Sequence, residues 1–386
     1  MTDVIALDKE YVAGSYARFP INIVGGKGSE LIDNTGKKYI DLASGIAVNT
    51  FGVADEQWSA AVKSQLDAFQ HTSNLYYTEP CALLAKKLCE KTGMKKVFFS
   101  NSGAEANETA IKAARKYAAD KKGKDVYKII TLKNSFHGRT HTTLAATGQE
   151  TFHEHFLPLT DGFVHIEPNA DELMNAVDDK TAGIMFEVVR GEGGVLPLEK
   201  DFVDAMVKIA KEKDIILIAD EVQVGNGRSG MLYGYMNYGF MPDVVTTAKG
   251  LGGGLPIGAT MLGEKVENIF TPGLNGSTFG GNPVCCAGAV NIIDRIDDKL
   301  LAEVKEKSEY IFNTLTGADG IESVTGLGLM IGVKTTKPAK DVVAECIDRG
   351  VLPITAKDKV RLLPALNIPF DMLKYAIDIL KEVCAD

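Results

Sequence analysis

Over residues 58–263, short apolar runs alternate with longer amphipathic stretches. The short runs are Val97-Phe98-Phe99, Tyr127-Lys128-Ile129-Ile130, Ile184-Met185-Phe186, Ile215-Ile216-Leu217-Ile218 and Val244-Val245. Their length and their β-branched and aromatic content predict buried strands. Between several of them lie helical patterns. In residues 202–211, for example, Phe202, Met206, Ile209 and Ala210 fall on one face. Strand–helix alternation of this extent predicts an α/β fold, with a mostly parallel sheet covered on both faces.

The flanks read differently. Residues 1–50 predict a short helix and then paired strands. Ile21-Asn22-Ile23-Val24 runs into a turn at Gly25-Gly26-Lys27-Gly28; Leu31-Ile32 and Tyr39-Ile40-Asp41-Leu42 flank a second turn at Asn34-Thr35-Gly36. After about residue 282 a long charged helix is expected over 290–315, strands over 321–334, and a helix over 340–349. Strand-like Val351-Leu352 and Val360-Arg361-Leu362 follow. A last helix after Pro369 carries Met372, Tyr375, Ala376, Ile379, Leu380 and Val383 at helical spacing. The expected organisation is a large domain over 51–280 and a smaller α+β domain over 281–386, with segment 1–50 packing against the smaller one.

Composition narrows the function classes. The 386 residues suit two domains, and 45% apolar with 24% charged residues is ordinary for a globular chain. A net charge of -9 argues against a nucleic-acid partner and against an anionic membrane surface. The six cysteines form no Cys-x-x-Cys pair, so they are read as reduced thiols. Residues 1–10 hold three acidic residues and no apolar core, so no secretory signal is expected, and no apolar run reaches membrane-spanning length. A cytoplasmic location is the expectation.

Three segments could carry chemistry. Ser100-Asn101-Ser102-Gly103-Ala104-Glu105 follows a strand and opens an alanine-rich helix. Free N–H groups and the positive end of the helix dipole at such a turn suit a phosphate; an ordinary capped helix, with Ser102 and Glu105 as a capping box, is the alternative. Ile218-Ala219-Asp220-Glu221-Val222-Gln223 ends an apolar strand, where ligands of α/β sheets bind. A carboxylate there can hold a pyridine nitrogen protonated and so make the ring an electron sink; the alternative is two carboxylates capping a loop. Thr246-Thr247-Ala248-Lys249-Gly250 sets a lysine at a strand end before a glycine-rich turn. Its amine can form a Schiff base if its pKa is lowered; a surface lysine in a loop is the alternative. Gly225-Asn226-Gly227-Arg228-Ser229-Gly230 is a literal GxGxxG, but no helix opens there and Asp243 comes too early for the acidic partner of a dinucleotide site. The six histidines show no metal-binding spacing.

Each motif alone is weak; their order is specific. SNSGAEANE, FHGRT (136–140), GEGG (191–194), DEVQ, TTAKG and GSTFGGNP (276–283) follow one another. This succession resembles the class III, fold-type I aminotransferases that use pyridoxal 5'-phosphate, and HTSNLYYTEP (71–80) adds a similarity to the acetylornithine branch of that class. The resemblance implies roles. Lys249 is the Schiff-base lysine and proton shuttle, and Asp220 the partner of the pyridine nitrogen. Phe136 and Val222 sandwich the ring, Gln223 meets its 3′ oxygen, and Ser102, Gly103 and Ala104 hold the phosphate. Thr278 reaches the phosphate of a neighbouring subunit's cofactor, so a homodimer with shared sites is implied, and Ser277 beside it is a substrate-side candidate. Arg139 takes the far carboxylate of the substrate, Arg361 grips the α-carboxylate of glutamate, Glu192 masks Arg361 while the ornithine-type donor is bound, and Tyr16 lies near the donor's α-substituents. The implied reaction passes an amino group from a small-molecule donor to 2-oxoglutarate by a ping-pong route. Other donors (ornithine, succinylornithine, succinyl-diaminopimelate, 4-aminobutyrate) remain alternatives, as do a non-catalytic protein of this fold and a nicotinamide dehydrogenase. Arg190 and Asn226 replace the residues usual in the family and bear on the pocket's details.

Overall fold

The computed structural model describes residues 3–385. Seven strands form its central sheet, in the order Lys96–Ser100, Gly258–Leu262, Val244–Thr247, Ile216–Asp220, Thr181–Phe186, Lys128–Leu132 and Phe163–Ile166. Ile216–Asp220 lies in the middle and every residue of it is buried, as expected of a strand covered on both faces. Gly258–Leu262 runs antiparallel to both of its neighbours, while the other pairings are parallel. The sheet is therefore mostly parallel, as its apolar runs predict. Helix Gly103–Lys122 crosses one face and buries Ala106, Ala110, Ala113 and Ala114; helix Lys200–Glu212 buries Phe202, Val203, Met206 and Ala210. Small alanines let the first of these approach the strands closely, which later matters for Asn107 on the same face.

The N-terminal strands Ile23–Lys27, Glu30–Asp33 and Lys38–Asp41 are antiparallel, and the last pairs in parallel with Val351–Leu352. A second antiparallel sheet joins Ile321–Leu327, Met330–Thr335, Lys359–Leu362 and Ile354–Ala356. Two local expectations fail. The strand continues through Gly25 and Gly26 to Lys27, and the turn begins one residue later at Gly28, whose φ of +61° suits glycine. The predicted helix over 290–315 is two helices, Pro283–Arg295 and Asp298–Leu315. Ile296 leaves helical geometry (φ -81°, ψ 88°) and Asp297 caps the second helix by accepting from the Leu300 N–H. Both residues fit the apolar and charged periodicity, so the break is invisible to it.

Candidate active site

A cavity of about 440 Å³ opens where the central strands end. This is where an open α/β sheet offers a crevice. Asp220 closes its strand at the floor and is 4% exposed. One carboxylate oxygen, Oδ2, is 2.7 Å from His137 Nδ1 and 2.8 Å from Asn107 Nδ2; the other, Oδ1, accepts from the Val222 N–H at 3.0 Å. Asn107 is itself fixed, since it donates to the His137 carbonyl and its own carbonyl accepts from Thr246 Oγ1 at 2.6 Å. The carboxylate as acceptor selects the His137 tautomer with its proton on Nδ1. Nε2 of His137 is buried without a partner.

The wall at the sheet end is a helix N-terminus. Ser102 caps Gly103–Lys122, its hydroxyl accepting from Glu105 N–H at 3.2 Å. Glu105 does not complete the reciprocal box: its carboxylate accepts from Asn101 N–H at 2.6 Å, one residue earlier. The first helical N–H groups have no acceptor within the helix and lie beside the positive dipole end. A side chain at Gly103 would come 2.6 Å from Val222 Cγ1, so only glycine allows this turn so close to the Asp220 loop. Phe136 and Val222 both line the cavity and supply apolar surfaces for a flat ring.

Lys249 lines the cavity next to these groups. Its φ of +43° is left-handed, a conformation uncommon for a side-chain-bearing residue. Its side chain keeps some access through the cavity, yet the surrounding protein lowers its pKa, burial first; nearby Glu192 opposes the shift. A lowered pKa keeps more of the amine unprotonated and nucleophilic. Glu187 is a further cavity carboxyl, 5% exposed and pushed up to about 7 by burial and secondarily influenced by His137 and Asp220. It accepts from the Phe136 N–H at 3.0 Å and so fixes the backbone that carries the ring wall.

At the rim, Arg361 Nη1 lies 2.6 Å from Glu192 Oε1 and 3.0 Å from Gln223 Oε1, and its Nη2 lies 3.3 Å from Glu192 Oε2. Gln223 also donates to Glu192 at 3.2 Å. Burial alone would raise the Glu192 carboxyl; Arg361 reverses this and holds it below the usual range. Arg361 Nε is buried and unpartnered. Arg139 stands on another side of the cavity, its guanidinium 4.1 Å from the ring centre of Phe152 and 5.4 Å from that of Phe136. It also borders a second cavity with Ser15, Tyr16, His141, Leu144 and Phe156.

The fold thus collects Ser102, Gly103, Ala104, Phe136, Arg139, Asp220, Val222, Gln223 and Lys249 around one cavity. Glu192 and Arg361 join through Gln223, and Tyr16 through Arg139. Ser277 reaches the cavity only indirectly, its Oγ accepting from Asn101 Nδ2 at 3.1 Å. Thr278 does not line this cavity; it lines a separate one with Asn74 and Cys81. Asn107, His137 and Glu187 went unassigned in the sequence, although the first two lie inside quoted motifs. Arg190 and Asn226 do not line the cavity. Arg190 is buried and donates to the Lys133 carbonyl, and Asn226 bonds the backbone before Lys249.

These residues fit pyridoxal 5'-phosphate. A helix N-terminus suits its phosphate, the Phe136 and Val222 surfaces its ring, Asp220 its pyridine nitrogen and Lys249 its aldehyde carbon. Among the described residues there is no cluster of metal-binding side chains.

The family described as aminotransferase class-III matches residues 11–384. An acetylornithine aminotransferase of Haemophilus ducreyi is 48% identical over 385 residues, spanning 98% of each chain. Among solved structures, the ornithine aminotransferase of Toxoplasma gondii superposes with a TM-score of 0.94 at 29% identity, over 98% of this chain and 94% of that one. The N-acetylornithine aminotransferase of Stenotrophomonas maltophilia does so with 0.86 at 31% identity, over 99% and 98%.

Proposed function

The chain belongs to the aminotransferase class-III family and is a pyridoxal-phosphate-dependent aminotransferase; from that premise we propose that it moves the terminal amino group of N-acetylornithine to 2-oxoglutarate, giving N-acetylglutamate semialdehyde and glutamate. The observation that carries the substrate reading is the Glu192–Arg361 pair, at 2.6 Å, set apart from an Arg139 that rests on aromatic rings. N-acetylornithine presents an amine far from its carboxylate, whereas glutamate presents one next to it. A site serving both needs one arginine always available and one that can be masked. Arg139 takes the distant carboxylate in each case. Arg361 is neutralised by Glu192 when the long donor is bound, and is released to take the α-carboxylate of glutamate by a bidentate pairing.

When bound, the cofactor supplies the electron sink that lets a proton leave the carbon bearing the amine. Asp220 holds the ring nitrogen's proton, and its own position is held by His137 and Asn107. Lys249 would hold the cofactor through its amine and would supply the group that carries the substrate's proton. Its lowered pKa serves both tasks. Phe136 and Val222 keep the ring plane fixed, and the helix N-terminus at Ser102 holds the phosphate.

The same reading makes the active form a homodimer. Leu75, Tyr76 and Tyr77 are 82%, 71% and 106% exposed, an unusual density of bare apolar side chains. Phe279, next to Thr278, packs on His71 of that segment with ring centres 5.4 Å apart. A second subunit covering this patch would bring Thr278 to the partner's phosphate site. A cytoplasmic location belongs to this reading too, and six unpaired cysteines suit a reducing compartment. No helix among the described residues is long and apolar enough to cross a membrane.

The test is a steady-state screen of amino donors with 2-oxoglutarate as acceptor. N-acetylornithine is expected to give the highest kcat/KM. A preference for free ornithine or 4-aminobutyrate would overturn the donor while leaving the aminotransferase class intact.

A further inference from the structure

We propose that Asn226 and Thr50 are positioning residues that clamp the backbone on either side of Lys249 and so aim its amine into the cavity. The inference rests on Lys249 being the cofactor lysine. Lys249 occupies the left-handed region, φ +43°, directly after an extended Ala248 with φ -164°. L-residues disfavour that turn, so neighbouring contacts must hold it. Asn226 supplies them from before: its buried amide donates to Thr247 Oγ1 at 3.0 Å and to the Ala248 carbonyl at 3.2 Å. Thr50 supplies them from behind: its buried hydroxyl donates to the Gly250 carbonyl at 2.8 Å.

The two clamps converge. A side chain at Gly250 would stand 2.8 Å from Thr50 Oγ1 and 3.3 Å from Asn226 Cβ. Each is anchored elsewhere as well. The Thr50 carbonyl accepts from Leu366 N–H at 2.9 Å, and Asn226 lies in the turn that follows the Asp220 strand. Lys249 is thereby tied to the element that carries Asp220 and, through Leu366, to the C-terminal part of the chain. Neither clamp residue lines the cavity; both reach it through the backbone that flanks Lys249. Asn226 is itself left-handed, φ +56°, and asparagine is among the few side chains that tolerate this while still offering an amide.

That double property decides the test. Asn226→Gly keeps the left-handed backbone and removes only the amide; Thr50→Val keeps the shape and removes the hydroxyl. Both are compared with wild type as holoenzymes, by the pH titration of the cofactor's visible absorption band, by kcat and KM separately, and by melting temperature. Each single variant is expected to shift the band's titration midpoint and to lower kcat about tenfold, with KM for the donor within about twofold, because small misplacements of a reacting group cost rate more than binding. The double variant should lose more of kcat than either. A wild-type band titration and kcat in both variants overturns the proposal, and so does a lowered melting temperature with an unshifted band, since either leaves the two residues a stabilising role only. Borohydride reduction of wild-type holoenzyme, followed by peptide mass mapping, separates the premise. A label away from Lys249 sinks the assignment of the lysine; a label on Lys249 with unaltered variants sinks the clamp alone.

Discussion

The floor and the rim of the cavity are built on opposite principles. At the floor, Asp220 receives three protein donors at 2.7, 2.8 and 3.0 Å, and Asn107 behind it is held in turn by Thr246. At the rim, Glu192 and Arg361 hold mainly each other, with Gln223 as common neighbour. The floor residues are nearly inaccessible, whereas the Glu192 side chain is 29% exposed. Redundant buried bonds suit a group whose one task is constant, such as holding a ring nitrogen's proton. An ion pair whose carboxylate water can reach, although Arg361 is buried, suits the exchange proposed for this rim. A fixed hydrogen-bond network and a partly exposed ion pair are thus separated in space, the first on the cavity and the second joined to it through Gln223.

Lys249→Ala tests the fixed part hardest. Transamination should fall to near zero in a glutamate-linked assay, because the covalent anchor and a proton carrier worth about 10²–10⁴ are lost together; retention within about tenfold of wild type would remove Lys249 from the centre. Arg361→Ala should divide the two half-reactions. The kcat/KM for glutamate should fall about a hundredfold, since truncating one member of a charge pair costs about 2–5 kcal/mol, while the acetylornithine half-reaction changes only a few fold. Equal losses in both, measured by single-turnover absorbance, would mean the pair does not discriminate. Asn107→Ala addresses the floor's redundancy. Losing a hydrogen bond to a charged group should raise the cofactor's Kd about tenfold, read by equilibrium dialysis, and an unchanged Kd would show that His137 and the Val222 N–H suffice.

The smallest effect concerns Glu187. Its carboxyl is raised from 4.5 to about 7 in the folded protein. Across that window the folded chain binds more protons at this group than the unfolded chain does, so its contribution makes stability fall as pH rises. Glu187→Gln should flatten this part of the urea-midpoint profile between about pH 5 and about pH 7.5. An unaltered slope would place the titration on another group.

Much of this was legible in the chain because it is local. Apolar runs of strand length marked the central sheet, and the Ser102 cap, the Asp220 strand end and the lysine before a glycine turn each sit within a few residues of the feature that defines them. The Glu192–Arg361 pair was reachable only through resemblance, since 169 residues separate its members. His137 and Asn107 stayed hidden inside motifs, because their meaning depends on a carboxylate 83 and 113 residues away. The helix break at Ile296 was missed because both halves share one amphipathic pattern.

What the amino-acid sequence determined by itself is the set of elements, the chemical groups at their ends, and the order in which those groups meet the sheet. What only the tertiary structure decided is which groups face one another: the amide that steadies Asp220, the hydroxyl and amide that pin the backbone around Lys249, and the placement of Thr278 away from its own chain's cavity. Periodicity and capping act over a few residues. Hydrogen bonds and ion pairs act over about 3 Å of space, whatever the distance along the chain, so their partners become known only once the chain has folded.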